Sequence, residues 1–312
     1  MLASSPTLSR RSALLAVGGA VLINPVSAAA RPARTGLRVV HMTDMHVKPE
    51  MGGAEGYAAA LRSIEKLSPQ PAFIVTGGDH VMDVLNCTAK RADELFTLYR
   101  KVVADNTALK TYPVVGNHDV YGWQLKEPDE SAAGFGKAMV RERFELPKTY
   151  YSFDSGAWHF IVLDNIQRRG GSYYGNLDDE QTEWLKADLA ANAKSRPVIV
   201  FSHIPIASIC AFFFNEKPKE FWRTGDHLMH HDSRGLIKLL RDGGVKLCVS
   251  GHIHLLDQIR FMGVDFICDG AVSGAWWGGP FQEIPEGYGV LDLYDDGTHD
   301  YQYVTYGWTA KK

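Results

Sequence analysis

Seven side chains in this sequence are of types that hold transition metals, and each closely follows an apolar run. Asp44 and His46 come after LRVV, Asp79 after AFIV, Asn117 after YPVV, His203 after VIVF, and His252 and His254 after LCVS. Carboxylate, amide and imidazole donors suit zinc, iron or manganese. Any one position alone reads as an ordinary cap, turn or polar loop. Gly116-Asn117-His118-Asp119 is good turn sequence, because Gly, Asn and Asp tolerate left-handed backbone or bond to it. Five such strand ends in one chain are not explained by five separate turns. Ligand sites in α/β sheets gather beyond the carboxyl ends of strands. Seven donors exceed the needs of one ion, so two ions sharing one carboxylate is the natural count.

The elements that must position these groups alternate. LRVVHMTDMH reads as strand then loop, GYAAALRSIEKL as an amphipathic helix, PAFIVTGGD as a buried strand and CTAKRADELFTLYRKVVADN as a second helix. TYPVVGNHD is a third strand. TYYSFDSGAWHFIVLDN reads as a hairpin turning at Asp154-Ser155-Gly156. LDDEQTEWLKADLAANAK is a helix with acids in its first turn, RPVIVFSHIP a strand, SRGLIKLLRDGG a helix stopped by Gly243-Gly244, and VKLCVSGHIH a strand. The remainder reads as strands and hairpins. This order predicts an α/β protein of layered mixed sheets. The aromatic stretch within 205–230 has little periodicity, as lids and binding loops often do.

The 312 residues carry a formal net charge of −3, with 45% hydrophobic and 22% charged residues. That is ordinary globular composition. No basic stripe is present, which argues against a nucleic-acid polymer as partner. The N-terminus differs in kind. Arg10 and Arg11 precede an apolar run from Ala13 to Ile23 that is short for a bilayer span, and Val26-Ser27-Ala28 follows as an A-x-A-like cleavage site. This segment, 1–28, resembles a twin-arginine export signal, with a general secretory (Sec) signal or an uncleaved anchor as the alternatives. The expectation is a periplasmic or secreted protein handled by the twin-arginine export machinery, with no stable membrane anchor after cleavage. Losing residues 1–28 would remove two positive and no negative charges, taking the net charge from −3 to −5. The four cysteines are too few for a disulfide framework, and Cys248 and Cys268 read as buried free thiols.

The ordered blocks D-x-H (Asp44, His46), G-D (Gly78, Asp79), G-N-H-D (Gly116 to Asp119), the lone His203 in SHIP, and G-H-x-H (Gly251 to His254) resemble the calcineurin-like metallophosphoesterase superfamily. The resemblance implies a four-layer α-β-β-α sandwich of two mixed sheets flanked by helices, over residues 35–310. It implies that Asp44, His46 and His254 hold one metal ion and Asn117, His203 and His252 a second, with Asp79 bridging. It further implies two transition-metal ions (Fe, Mn or Zn), a metal-bridging hydroxide attacking phosphorus in line, His118 as general acid, and Asp119 orienting His118 and keeping it protonated. The substrate is expected to be a small-molecule phosphodiester or phosphomonoester. Purple acid phosphatases place a tyrosine ligand three residues beyond the bridging Asp; Met82 stands there in this chain, against that branch.

Two other readings follow from the same residues. A catalytically silent member of the fold would act as a binding protein, but no expected ligand position is lost. A mononuclear hydrolase of another ester would not need both Asn117 and Asp79. Of the remaining side chains, His80 is expected to face solvent, and His230 and His231 read as loop residues ahead of Asp232, a helix N-cap. Trp276 and Trp277 suit the core and the wall of a substrate cleft equally.

Overall fold

A computed structural model describes residues 35–213 and 224–311. The expected signal segment, and residues 214–223 of the aromatic loop, lie outside the described residues. The chain opens with β1 (Gly36–Met42), α1 (Gly53–Ile64), β2 (Phe73–Thr76), α2 (Ala89–Asn106) and β3 (Thr111–Pro113). It continues through α3 (Ala138–Arg143), β4 (Tyr151–Ser155), β5 (Trp158–Val162), β6 (Ile166–Arg169), β7 (Ser172–Gly175), α4 (Asp179–Asn192), β8 (Val198–Phe201) and α5 (Cys210–Phe213). It closes with α6 (Ser233–Asp242), β9 (Val245–Ser250), β10 (Asp257–Phe261), β11 (Val264–Cys268), β12 (Gly287–Tyr294) and β13 (His299–Thr305).

Two mixed sheets result, ordered β13-β12-β1-β2-β3 and β10-β11-β9-β8-β5-β4, with β6-β7 as a separate hairpin. In the first sheet β1, β2 and β3 run parallel, and in the second β5, β8, β9 and β11 do. Their apolar runs are continuous because both faces are covered. Val39, Phe73 and Val75 of the first sheet, with Val114 just beyond β3, meet Phe160, Ile199, Phe201 and Leu247 of the second between the sheets. The alternate residues face outward. Val40, Met42 and Ile74 pack on Tyr57 and Leu61 of α1 and Phe96 of α2. Val198, Val200 and Cys248 pack on Leu185 and Leu189 of α4 and Ile237 and Leu240 of α6. The architecture is the expected α-β-β-α sandwich.

The helices start where their caps dictate. Thr88, Asp178 and Asp232 accept backbone N–H bonds from Arg91, Gln181 and Gly235 at the starts of α2, α4 and α6. The β4-β5 turn lies at Gly156-Ala157, slightly later than expected, since Ser155 already pairs with Trp158. The short α3 and the β6-β7 hairpin carry no periodic signal long enough to read in the sequence. All four cysteines are free, with Cys210, Cys248 and Cys268 buried. Among the described residues no helix is long and apolar enough to cross a membrane.

Candidate metal centre

The parallel strands β1, β2, β3, β8 and β9 deliver their loops to one end of the sandwich. There the seven expected side chains converge into two groups. In one, His46 Nε2 lies 3.1 Å from His254 Nε2, and Asp44 Oδ1 lies 3.3 Å from His254 Nε2 and 3.8 Å from His46 Nε2. In the other, His203 Nε2 lies 3.0 Å from Asn117 Oδ1, 3.1 Å from His252 Nδ1 and 3.2 Å from Asp79 Oδ2. Asp79 Oδ2 also stands 3.7 Å from His46 Nε2, so one carboxylate oxygen faces both groups.

The five separations of 3.0–3.3 Å suit shared ions, while His46 stands wider, at 3.7 and 3.8 Å, from the two carboxylates. Donors held about 2.1 Å from a common ion in tetrahedral or octahedral geometry sit roughly 3.0–3.4 Å apart. Ring orientation supports the same conclusion. His254 Nδ1–H donates to Gly274 O at 2.6 Å, His203 Nδ1–H to Gly77 O at 2.8 Å, and His252 Nε2–H to His227 O at 2.7 Å. With one nitrogen donating outward, each ring when neutral turns a lone pair inward, toward the other donors and two carboxylates. Asp44 Oδ2 accepts from the Thr43 hydroxyl at 2.6 Å and the His252 N–H at 2.8 Å, while its buried Oδ1 has no hydrogen-bond partner. A concentration of inward acceptors with an orphaned buried oxygen calls for cations. The donor set therefore fits two metal ions.

The electrostatics agree. Burial alone would raise the Asp44 and Asp79 carboxyls; the nearby imidazoles, His254 for Asp44 and His203 for Asp79, outweigh it and hold both below the usual carboxylate range. Burial keeps His46 well below its ordinary value, and burial beside His203 brings His252 down to about 3, which leaves both as neutral donors. His203 goes the other way. Burial opposes its protonation, but Asp79 beside it pushes it up to about 9. Without a cation, a proton on His203 offsets part of the charge of the two buried carboxylates.

The backbone is strained where the donors sit. Asp44, His46, Asp79, His252 and His254 have φ of +55°, +42°, +53°, +72° and +59°. Left-handed backbone at non-glycine residues costs about 1–3 kcal/mol each and clusters at functional sites. The motif glycines allow the loops to close in. A Cβ on Gly116 would meet Asp79 N at 2.1 Å, and one on Gly251 would meet Thr43 Oγ1 at 2.0 Å.

His118 stands at the rim, its side chain 23% exposed, with Nε2 4.0 Å from Asp79 Oδ2. Asp119 does not orient it. The Asp119 carboxylate accepts from the N–H groups of Asp79, His80 and Gly116 and from His80 Nδ1, at 2.8–3.0 Å. It ties the Asp79 turn to the Asn117 turn. In a tight 3-10 turn successive side chains point apart, so His118 faces the cleft and Asp119 the interior. The carboxylate beside His118 is Asp83, 3.4 Å from its Nδ1. Burial opposes protonation of His118; Asp79 and Asp83 together raise it above the ordinary histidine value.

His80 is fully buried rather than exposed, bonded to Asp119 and to Thr76 Oγ1 at 2.8 Å. His230 is buried in the loop before α6, where burial lowers it to about 4; His231 is exposed, and neither joins any of the three groups of potential ligands, the third of which sets His118 with His46 and Asp79. The adjacent tryptophans divide: Trp277 is core, and the half-buried Trp276 packs on His254 with ring centroids 4.6 Å apart. Sequence reasoning missed Asp83 and Tyr173. The Tyr173 ring lies 6.1 Å from His252, and its hydroxyl is pushed up by burial and then by Asp79, Asp83 and Asp44.

A two-sheet sandwich that gathers carboxylates and imidazoles at its strand ends defines a metal-dependent phosphoesterase frame. The chain belongs to the calcineurin-like phosphoesterase family, whose model matches residues 37–256. It is 26% identical over 223 residues to the human serine/threonine-protein phosphatase CPPED1, covering 69% of this chain and 63% of that protein. The chain thus spans less than two thirds of that relative's length. It is 24% identical over 234 residues to a probable cyclic nucleotide phosphodiesterase of Rhodococcus erythropolis, covering 72% and 67% of the two chains. In fold it resembles a dimetal phosphatase from Danio rerio, with a TM-score of 0.62 and 15% identity over 87% of this chain and 99% of that one.

Proposed function

We propose that this chain is an exported, dinuclear-metal-dependent hydrolase of a small-molecule phosphodiester or phosphomonoester. The observation that carries the reading is Asp79 Oδ2, which faces both donor groups at once. Asp44, His46 and His254 would hold one ion and Asn117, His203 and His252 the other, with Asp79 between. When bound, such ions supply a water acidic enough to attack phosphorus near neutral pH and neutralise charge on the phosphoryl oxygens.

The chain's own residues do the rest. The carbonyls of Gly274, Gly77 and His227 fix three rings in the neutral, ligating tautomer. The Asp119 clamp keeps the Asp79 and Asn117 turns in register. His118, partly exposed and with the Asp83 carboxylate 3.4 Å from its Nδ1, delivers a proton to the departing oxygen. Export through the twin-arginine route would carry the folded protein out after metal loading. A silent binding role remains the competing reading, and the same sandwich occurs in GAP50, an anchor in the inner membrane complex of Plasmodium, at a TM-score of 0.50. Hydrolysis of a panel of phosphomonoesters and phosphodiesters by purified protein reconstituted with Fe, Mn or Zn decides between them. Metal-dependent turnover of at least one class is expected; metal binding without turnover of any ester supports the silent reading.

A further inference from the structure

The proposed chemistry leaves the leaving group open, and the loop that follows β11 narrows it. Trp276 and Trp277 are both left-handed, at φ +50° and +76°. A bulky aromatic residue rarely adopts that backbone unless its surroundings enforce it. Trp277 supplies the enforcement. Its ring is fully buried and its Nε1–H donates to the His46 carbonyl at 3.0 Å. It fills the space left by Gly56, where a Cβ would meet the indole at 2.2 Å. The loop is tied down around it: Val272 N–H bonds to Thr43 O at 2.9 Å, Ser273 N–H to Asp44 O at 3.2 Å, and Ala275 N–H to Gly279 O at 2.8 Å.

With Trp277 turned inward, Trp276 is turned toward the donor groups. Its ring rests on His254 at 4.6 Å and lies 6.0 Å from His46, and Phe281 meets it nearly at right angles at 5.7 Å. A large apolar ring is thus held half-open beside two candidate ligands, on a loop that cannot easily withdraw it. The His46 ring also contacts His118, at 4.9 Å. A group departing beside His118 is therefore at most two ring contacts from Trp276.

We infer that Trp276 determines specificity by stacking on a planar aromatic or heteroaromatic group carried by the leaving alcohol, an inference that rests on the phosphoesterase reading above. Trp276 takes no part in bond changes. Water adds to phosphorus, the bond from phosphorus to the leaving oxygen breaks, that oxygen takes its proton from His118, and the proton released by the water restores His118 through solvent. Stacking acts on binding and orientation of the group attached to it.

The test uses a matched pair, a nucleoside 5′-monophosphate and ribose 5-phosphate, whose leaving oxygens are alike and which differ in the planar base. Trp276→Gly suits a positive φ, so the fold should persist, and Trp276→Phe restores a smaller ring. Trp276→Gly is expected to raise KM for the nucleotide about tenfold, from the usual worth of a stacked base, with KM for the sugar phosphate within about twofold and kcat unchanged for both. Trp276→Phe should recover most of the loss. Calorimetric binding of phenylphosphonate and methylphosphonate gives a readout independent of turnover, and Trp276→Gly should weaken only the phenyl compound. Equal losses for both members of either pair, or no loss for either, overturn the inference. If no phosphoester at all is hydrolysed, the proposed function fails, and the phosphonate pair still decides the role of Trp276.

Discussion

Asp83, four residues beyond Asp79, places its Oδ1 3.4 Å from His118 Nδ1, whereas Asp119, the sequence neighbour of His118, is bonded to the turns behind it. Two carboxylates thus divide the work around one imidazole. Asp83 favours its charged form, and Asp119 builds the loop on which it stands.

That division has kinetic consequences. His118→Ala should retain about two ions per chain and lose roughly 10²–10⁴-fold in turnover on esters with poor leaving groups. The loss should shrink on an activated aryl ester, whose oxygen departs without a proton. Equal losses on both kinds of ester would remove His118 from the acid role.

Asp83→Asn removes an anion that raises His118. An acid works while protonated, so activity falls as pH rises through its pKa. The alkaline limb of the pH profile should therefore move to lower pH in Asp83→Asn. Asp119→Asn should instead lower metal content and thermal stability, because three buried backbone N–H groups lose a charged acceptor. An alkaline limb that moves in Asp119→Asn and stays fixed in Asp83→Asn would reverse the assignment.

Far from the cleft, His159 bridges two carboxylates, with Nδ1 2.7 Å from Asp154 Oδ1 and Nε2 2.7 Å from Asp188 Oδ2. Burial opposes its charge, but Asp188 and Asp154 raise it above the ordinary value. A raised histidine stabilises the fold fully below its unfolded pKa of about 6.5, and the benefit disappears as pH rises through the folded value. The urea midpoint of His159→Gln should lie below that of the unaltered protein at pH 5.5, and the gap should narrow toward pH 9. A constant gap would mean that packing, not charge, holds this residue.

How much of this was legible in the sequence depends on where each residue sits. The ligand set was readable because parallel strands announce their ends, and Asp44, Asp79, His203 and the two histidines after β9 stand just past those ends. The sandwich layers were readable because both faces of the strands are apolar. Side-chain direction inside a turn was not readable: Asn117, His118 and Asp119 are consecutive, yet they face the donor cluster, the cleft and the interior. Asp83 and Tyr173 escaped notice because each reaches the site only through tertiary placement, one from a loop and one from the β6-β7 hairpin. His80 looked exposed because polarity does not reveal a buried partner, and its partners Asp119 and Thr76 come together only in the fold.

The N-terminal expectation is tested in cells. Replacing Arg10 and Arg11 with Lys should leave the protein in the cytoplasm if the twin-arginine route carries it. An unchanged periplasmic yield would point to the general secretory route.

The central claim is that seven side chains hold two ions around Asp79. Metal content of the purified, reconstituted protein, measured by mass spectrometry alongside Asp79→Ala, tests it most directly. About two ions per chain are expected in the unaltered protein, with both occupancies reduced in Asp79→Ala because the shared carboxylate faces both groups. A single ion in the unaltered protein, or two retained in Asp79→Ala, would contradict the account.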